Sequence, residues 1–541
     1  MISITPQGSI YLCKTLLVND YKNQLTFSNA TAQLTYFNGT IQKTFDNYTY
    51  IKKDNVIKVG ENIDAIIGCN YLFYKNTGFT NKYYFCFITN MEYVNENCTA
   101  ITIETDCFQT YQFDIVYKKC FVEREHVNDD TAGLHTIDEG LELGEYVANF
   151  KRQWLFENFN TNQLGIVLAA TESPSGSIAG GDQVDGIYSG VKYFSFKNDD
   201  TDSTLTQNPD WYGIHWLNDF ISQYASASKI SAIKSIFMYP LEFLNGYTKS
   251  THLESTSSLP TSYYINTTHT LHNKDMYLNT TYFGGDIQTG YLPTNNKLYT
   301  YPYTYLLVSN NNGSNVIYKY EDFEARNPSF IIQGALTPSG SIRMVPLNYK
   351  GVARNDAEGI NMGKFPVCSW DSDVYTNWLT QNGVNMALQT TGSAIAIGAS
   401  AATGNPIGVA SGILSIANSM AEINKQSKIP LQAEGNINSG DATTASGTND
   451  FIFYNMSIKA EYAQLIDLYF GMYGYKINLL KIPNITGRQN WNFVKTIECN
   501  FIGNNIPQQD LNVIRKMFDN GVTLWHNSST MYDYSQTNSI I

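Results

Sequence analysis

The chain has 541 residues, of which 43% are hydrophobic and only 15% charged, and its formal net charge is −13. No basic run or tail is present, which argues against classical nucleic-acid binding. The acidity either serves solubility alone or forms a wall that repels phosphates and lets DNA slide past. Met1–Pro6 lacks a basic segment followed by an apolar core, so no signal peptide is expected and folding in the compartment of synthesis is predicted.

Residues 1–165 read as a series of short strands. Ala65–Tyr74 and Lys82–Thr89 are aromatic and β-branched runs bounded by Gly, Asn and Thr, and Thr99–Asp106 alternates apolar with polar residues. Closely spaced strands of this kind predict a mainly β (α+β) fold with a barrel or sandwich at its N-terminus. Six of the eight cysteines lie in the first 120 residues, mostly within apolar runs, and are expected to be buried free thiols.

Residues 166–328 differ in character and are predicted to be an inserted second domain. They contain turn clusters rich in Ser, Gly, Asn and Asp, and a helical patch is expected at roughly Asp210 to Phe243. Strand-like sequence returns at Ser329–Ile332, so residues 329–383 are predicted to continue the first domain.

The most unusual segment is an uncharged stretch of 48 consecutive residues, from Val374 to Ala421. Gly404-Asn405-Pro406 is a strong turn signal that divides its inner part into two apolar arms, each about as long as a bilayer-spanning helix. Small residues recur every fourth position, a spacing that lets helices pack closely in lipid. The alternative is a tightly packed Ala/Gly helix pair in a soluble core.

We predict that residues 384–449 form a membrane-active hydrophobic loop followed by a flexible linker. The linker, Ala433–Asn449, is rich in Gly, Asn, Ser, Thr and Ala and would place the apolar arms on a tether. The residues expected to act on the membrane are the small and branched apolar positions of the two arms and their turn. They are Gly392, Ile395, Ile397, Gly398, Gly404, Pro406, Ile407, Gly408, Val409, Gly412, Ile413, Leu414 and Ile416.

Residues 450–541 are predicted to complete the first domain. Helical periodicity over Lys459–Tyr473 places Tyr462, Leu465, Ile466, Tyr469 and Phe470 on one face, with Gly474 as a C-terminal stop. A second helix is expected to open at Pro507 and end at Gly521. Its inward residues are predicted to be Leu511, Ile514, Met517 and Phe518.

No catalytic, cofactor or metal site is predicted. Glu125, His126, His135, Asp138 and Glu139 lie close in sequence, but their spacing matches no zinc-helix motif, and a hydrogen-bonded turn is the favoured interpretation. The Gly181–Gly186 and Asn198–Asp202 segments resemble calcium loops yet lack the terminal Glu.

Several segments at both ends resemble the distal tail-knob proteins of small podophages that infect Gram-positive bacteria. These segments are Asn19–Asn23, Phe121–Asp130, Thr136–Leu141, Lys459–Tyr462, Tyr473–Asn478 and Met517–His526. The resemblance implies a structural virion protein, a homo-hexameric tube of β-barrel-like domains widened by a knob domain. It also implies contacts with collar or upper-tail and tail-tip proteins, and passage of phage DNA without sequence-specific binding. A hydrophobic loop would plug the tube and later form a pore in the host cytoplasmic membrane.

Two alternatives come from other classes of protein. A host-surface adhesin would bind wall carbohydrate through Tyr and Trp residues of the middle domain. A tail-associated hydrolase would need a carboxylate pair or a Cys/His pair in a cleft.

Overall fold

A computed structural model of the chain describes residues 8–48, 55–76, 82–154, 291–324, 328–335, 340–362, 450–503 and 505–541, with shorter pieces between residues 164 and 277 and at residues 367–369. The fold is mainly β with few helices, in agreement with the expected class. The chain divides into two compact units. Unit 1 comprises Met1–Glu145, Gly290–Tyr303 and Lys459–Ile541, and unit 2 comprises Tyr146–Thr289 and Thr304–Ile458.

The N-terminal part of unit 1 is built from nine strands and three short helices. The strands are β1 (Gly8–Cys13), β2 (Asn23–Leu25), β3 (Ile41–Tyr48), β4 (Val56–Val59), β5 (Tyr71–Asn76), β6 (Tyr83–Asn95), β7 (Cys98–Thr105), β8 (Ile115–Tyr117) and β9 (Cys120–Glu125). The helices are α1 (Ala30–Asn38), α2 (Ile63–Ile66) and α3 (Cys107–Tyr111).

Six of these strands form one antiparallel sheet in the order β3-β1-β5-β6-β7-β4. The sheet curls so that its two edge strands approach each other. Lys43 of β3 pairs with Glu61 at 2.6 Å, and the Gly60 N–H donates to the Tyr48 hydroxyl at 2.8 Å. A strongly twisted sheet that brings its edges together in this way is barrel-like.

Alternation along the strands gives the curled sheet two apolar faces. Leu72 and Cys86 point into one cluster with residues such as Ile101, while Tyr71 and Phe85 point to the other side. The second cluster also contains Phe37 of α1 and the tryptophans Trp491 and Trp525 from the C-terminal part of unit 1. The aromatic residues of β5 and β6, which predict strands in the sequence, therefore also pack against residues from the C-terminal end of the chain. Seven cysteines are free thiols in the described part of the chain: Cys98 is half-buried, and Cys13, Cys69, Cys86, Cys107, Cys120 and Cys499 are buried.

The prediction of one strand over Ala65–Tyr74 is half wrong. The first residues belong to α2, because the Asn62 side chain accepts a hydrogen bond from the Asp64 N–H and caps the helix. Only the second half forms a strand, β5.

Unit 2 contains seventeen described strands. They are β10 (Tyr146–Gln153), β11 (Leu164–Ala170), β12 (Gln183–Val184), β13 (Ile187–Tyr188), β14 (Lys192–Lys197), β15 (Ile233–Pro240), β16 (Thr248–His252), β17 (Thr261–Asn266), β18 (His272–Tyr277), β19 (Thr304–Ser309), β20 (Asn315–Tyr318), β21 (Ser329–Ala335), β22 (Ser341–Tyr349), β23 (Val352–Arg354), β24 (Ile360–Met362), β25 (Val367–Ser369) and β26 (Ile452–Ile458).

These strands form three larger sheets and one two-stranded hairpin, β12-β13. The larger sheets are β10-β26-β19-β20, β16-β17-β14-β11-β15-β25 and β18-β21-β22-β23, the last with β24 paired to β22. Their strands contribute to one apolar cluster that includes Val167, Phe237, Phe330 and Phe453.

The expected helical patch over Asp210–Phe243 is wrong at its end, where Ile233–Pro240 is the strand β15. This strand pairs with β11 along its whole length and is buried on both faces. A strand buried on both faces shows no alternation, so an apolar run of this kind resembles a helix in sequence.

The expected return of residues 329–383 to the first domain also differs from the structure, which groups β21 and β22 with unit 2. Phe330, Ile332 and Met344 of these strands pack in the same cluster as Phe453. Three of the points where the chain passes between units lie on adjacent strands. Tyr146 is opposite Ile458, and Thr304 is opposite Ser457. Chain ends that lie close together are typical of an inserted domain.

The C-terminal part of unit 1 carries two helices and four strands. They are α4 (Ala460–Tyr473), β27 (Tyr475–Lys481), β28 (Trp491–Ile497), β29 (Phe501–Gly503), α5 (Gln508–Asn520) and β30 (Val522–Trp525). Three of these strands form a five-stranded sheet with β2 and β9, in the order β2-β30-β28-β9-β27. The fourth, β29, pairs with β8. The second sheet of unit 1 thus combines strands from both ends of the sequence.

Both C-terminal helices lie where the sequence predicts them. Helix α5 buries Leu511, Ile514, Met517 and Phe518, as expected, and Gly521 ends it with a positive φ of 91°. Helix α4 also has the expected bounds, but its predicted apolar face is wrong at Leu465, which is 65% exposed.

Candidate functional site

The predicted membrane-active loop lies outside the residues that the structure describes. This holds for the whole of residues 384–449, including every position from Gly392 to Ile416 named above. Its behaviour stays a prediction. Among the described residues, no helix is long and apolar enough to cross a membrane.

His126, one of the possible ligands considered from the sequence, is a buried structural residue. Its Nε2 contacts the Gly471 carbonyl at 3.1 Å, and its Nδ1 accepts a hydrogen bond from the Phe493 N–H at 2.7 Å. These partners assign the neutral form with the proton on Nε2. Burial, with help from the Arg488 charge, lowers the pKa of His126 to about 3. Both ring nitrogens are therefore occupied, and the ring stays uncharged.

Glu125 and Glu139 are likewise engaged on both carboxylate oxygens. Glu125 pairs with Lys481 and accepts the Asn484 N–H at 2.7 Å. The Glu139 side chain is fully buried and pairs with Arg124 and with Lys297. Burial lowers the pKa of Lys297, and the Glu139 charge opposes that shift. These carboxylates have no open coordination position, and in the described part of the chain no three such side chains are grouped to hold a metal ion.

The remaining two candidates are at the surface of this cluster. Asp138 is exposed, and His135 is half-buried with its ring 5.6 Å from that of Tyr475. The favoured interpretation of a hydrogen-bonded turn holds for Asp138, whose Oδ1 accepts the Gly140 N–H at 3.0 Å, and for His135, whose Nε2 contacts the Asp129 carbonyl at 2.7 Å. It is wrong for Glu125 and Glu139, because Glu125 ends the strand β9 and both carboxylates bind residues far along the chain.

The structure reveals what these acidic residues hold. Gly290–Tyr303, which we call the crossing segment, returns to unit 1 between two excursions into unit 2. Asp467 of α4 accepts the N–H groups of Thr294 and Asn295 at 2.7 and 3.0 Å, and the Tyr291 hydroxyl at 2.6 Å. The crossing segment is thus anchored through its backbone by one buried carboxylate.

Two further acids extend this anchor. Asp130 accepts the Asn296 N–H at 3.2 Å and the Tyr475 hydroxyl at 2.6 Å, and burial raises its pKa. Glu139 binds Lys297 and also accepts the Lys476 N–H at 2.9 Å. Sequence reasoning missed Asp467, Asp130 and Lys297 because their partners lie at least 158 residues away.

A cavity of about 560 Å³ opens beside β2 and β30. Its lining mixes aromatic rings, among them Tyr473 and Phe493, with Asp20, Lys22 and Lys516. The Tyr21 hydroxyl is already used, since it donates to the Thr105 carbonyl at 3.1 Å and accepts the Cys107 N–H at 3.1 Å. The cavity offers no carboxylate pair or Cys/His pair of the kind that a hydrolase would need.

Asp106 is a fully buried carboxylate that makes unit 1 sensitive to pH. It accepts the Gln109 N–H at 3.0 Å, which caps α3, and the Tyr71 hydroxyl at 2.9 Å. Burial outweighs these hydrogen bonds and raises its pKa from 3.8 to about 7. Because the folded chain favours the protonated form, Asp106 stabilises the fold below its ordinary pKa, and this contribution is lost as the pH rises through about 7.

Asp106→Asn is therefore expected to change the pH dependence of stability. The amide still accepts the Gln109 N–H but does not titrate. Relative to the wild type, the variant should gain about 2–3 kcal/mol in free energy of unfolding between roughly pH 5 and pH 8. Urea unfolding at both pH values measures this, with Asp64→Asn at an exposed position as control. A difference from wild type that is the same at both pH values would show that Asp106 is ionised throughout.

Comparisons with known proteins bear on the whole chain. Residues 264–539, slightly more than half of it, match the family model described as the C-terminal domain of the tail knob protein gp9 of Bacillus phage phi29. Residues 8–118 match the N-terminus of the caudoviral major tail protein. The chain is 26% identical to the tail knob protein gp9 of Bacillus phage B103, over 96% of each chain, and 26% identical to that of Bacillus phage phi29, over 90% of each.

A solved structure shares the fold. The tail knob protein gp12 of bacteriophage C1 superposes with a TM-score of 0.66 over 99% of this chain and 100% of its own, at 15% identity.

Proposed function

The chain belongs to the tail knob protein family represented by gp9 of Bacillus phage phi29 and is a structural component of the phage tail, and from that premise we propose a specific role in genome delivery. Six copies form the distal tube and knob that conduct the phage DNA. The hydrophobic loop within residues 384–449 plugs the tube, then inserts in the host cytoplasmic membrane and forms a pore. Collar or upper-tail proteins and the tail tip are its other partners.

The observation that carries this proposal is the uncharged stretch Val374–Ala421 within a chain of a tail knob family. In a protein with 15% charged residues, 48 consecutive uncharged positions are a strong departure from the average. Apolar arms on a tether need to be covered in one state and released in another. A tube that is closed before host contact and open afterwards supplies both states.

The charge of the chain supports the proposed conduit. A net charge of −13 makes the surface repel phosphates on average, so DNA would pass without being held. The sequence contains no basic run that would bind the DNA phosphates and hold the DNA in place.

Dye release from anionic liposomes tests the membrane role. The intact protein is expected to release dye somewhere between roughly pH 4 and 8, and a variant lacking residues 384–424 is expected to release none, because the apolar arms are gone. Equal release by both proteins would remove the membrane role and leave only a tube.

Point variants separate insertion from folding. Ile397→Asp and Ile413→Asp each place a charge in one apolar arm, which costs about 3 kcal/mol at the centre of a membrane helix, and should reduce dye release strongly. Ala445→Asp places the same charge in the linker and should release dye like the wild type. If all three variants behave alike, the arms do not enter the bilayer.

A further inference from the structure

The outer face of the second sheet of unit 1 carries apolar side chains that nothing in the described chain covers. Leu480 of β27 and Ile497 of β28 both lie opposite Phe121 of β9, so the three residues stand side by side across adjacent strands. Leu480 is 71% exposed, and the other two are also exposed. Cross-strand neighbours of this kind have Cβ atoms about 5 Å apart, which makes one continuous surface.

The apolar surface continues onto the neighbouring pair of strands. Val116 of β8 lies opposite Ile502 of β29, and both are more than half exposed. Leu479 of the edge strand β27 is also exposed, but it lies opposite the buried Val122 and so belongs to the other face. We call Val116, Phe121, Leu480, Ile497 and Ile502 the sheet patch. Grouped apolar exposure of this size marks an interaction site more often than scattered surface residues do.

The charges around the sheet patch differ from those of the whole chain. Lys481 pairs with Glu125, and Lys495 pairs with Glu123 at 2.9 Å. Lys118 and Lys119 are exposed next to Val116 and form no ion pair among the described residues. Of the exposed acids close to them in sequence or across the strand pair, Asp114 pairs with Lys82, which leaves Glu498. The rim therefore carries a small positive excess in a chain with a net charge of −13. An acidic partner fits it, and a second copy of this chain is such a partner.

The edge of the sheet indicates that the partner is a polypeptide. Strand β27 is the last in the order β2-β30-β28-β9-β27, and no other described strand pairs with its outer edge. At the start of β27 the Lys476 N–H already donates to Glu139. The second half of the strand, which carries Leu479 and Leu480, remains available for pairing with another chain. An unpaired strand edge offers N–H and C=O groups that another chain can satisfy and that the acyl region of a membrane cannot.

We propose that the sheet patch and the adjacent edge of β27 bind a second copy of the chain. This inference rests on the proposed ring of subunits, in which each copy presents one surface to the copy before it and a different surface to the copy after it. The sheet patch is one of these two surfaces, and its occupant is an acidic face of the neighbouring copy.

Mass photometry and analytical ultracentrifugation of the full chain test this proposal. The wild type is expected to self-associate, and Leu480→Asp and Phe121→Asp are each expected to weaken association by roughly tenfold or more. Val352→Asp is the matched control, because Val352 is 46% exposed on β23 of unit 2, outside the sheet patch. It should associate like the wild type. Because all three positions are exposed, melting temperatures should change by only about 2 °C, which separates lost association from lost folding.

Each other outcome overturns the assignment. A wild type that stays monomeric, or patch variants that assemble as well as the control, would show that the sheet patch does not bind a second copy. If the patch variants instead lose binding to phosphatidylglycerol vesicles while assembling normally, the surface faces lipid. These results do not depend on the variants within residues 384–424 that test dye release. A failure of the sheet-patch proposal can therefore be distinguished from a failure of the proposed membrane role.

Discussion

Glu139→Gln is expected to destabilise unit 1 by about 3–5 kcal/mol, since it leaves two buried cations without their shared counter-charge. The Glu139 side chain is fully buried between Arg124 and Lys297, and Lys297 is almost fully buried as well. The amide can still accept the Lys476 N–H, but its own N–H groups would face the cations. Urea unfolding measures the loss. Hydrogen exchange of the crossing segment should show faster exchange of the same region.

The pH dependence of that loss identifies its cause. In the folded wild type the pKa of Lys297 is lowered by burial despite Glu139, and without the carboxylate we expect it to be lowered further. A folded state that binds fewer protons than the unfolded state becomes more stable as pH rises. The variant should therefore recover part of its stability between about pH 7 and pH 9. Glu142→Gln is the control, because Glu142 is exposed and lies three residues after Glu139 in the chain. It should change stability little. A loss no larger than that of the control would mean that the cations are not held in place by Glu139.

The two C-terminal helices show how far sequence periodicity leads. Helix α5 is predicted in its bounds and in all four inward residues. This succeeds because the four residues are apolar and pack in one hydrophobic cluster, which is the arrangement that an apolar stripe on a helix predicts. Helix α4 is predicted in its bounds but only partly in its face, since Ile466 and Phe470 are buried as expected and Leu465 is exposed. One of its buried positions is Asp467, which looks like a surface residue in sequence and is inside because it binds the backbone of Thr294 and Asn295.

The division into units depends on pairings that no local pattern encodes. Strand β26 joins β10 and β19, and these three strands start or end at residues 458, 146 and 304. A prediction from composition places the return to the first domain at residue 329, where strand-like sequence resumes. In the structure the chain returns briefly over Gly290–Tyr303 and finally at residue 459, because β21 and β22 share the core of unit 2.

The functional prediction depends on a different kind of signal. The uncharged stretch is visible in sequence because it needs no partner to be recognised, and the family membership makes a tail role firm. The acids of unit 1, by contrast, look like possible ligands in sequence and prove to be anchors. Their hydrogen-bond partners, which decide between the two interpretations, are visible only in the fold.

Gly474→Ala is expected to cost about 3–5 kcal/mol, for two reasons that add. Gly474 ends α4 with φ 64° and ψ −155°, a region of backbone conformation that is essentially restricted to glycine. A Cβ atom there would also overlap the Glu125 carbonyl and lie 2.5 Å from the His126 nitrogen, both of which are main-chain atoms that cannot rotate away. Strand β9 would have to shift, and with it Glu125 and the buried His126. Urea unfolding of unit 1 measures the cost.

Gly471→Ala, three residues earlier, is the control with the opposite sign. Gly471 lies inside α4, and an added Cβ would meet no atom within 4 Å. Its carbonyl, which contacts His126 and accepts the Trp491 indole N–H, is unchanged by the substitution. Alanine should therefore stabilise the helix by about 0.5–1 kcal/mol. If both variants lost stability equally, helix α4 as a whole would be intolerant of substitution. If both were neutral, the close approach of Gly474 to β9 would be absent in solution. Only opposite signs are consistent with a helix end that is fixed against the strand carrying Glu125 and His126.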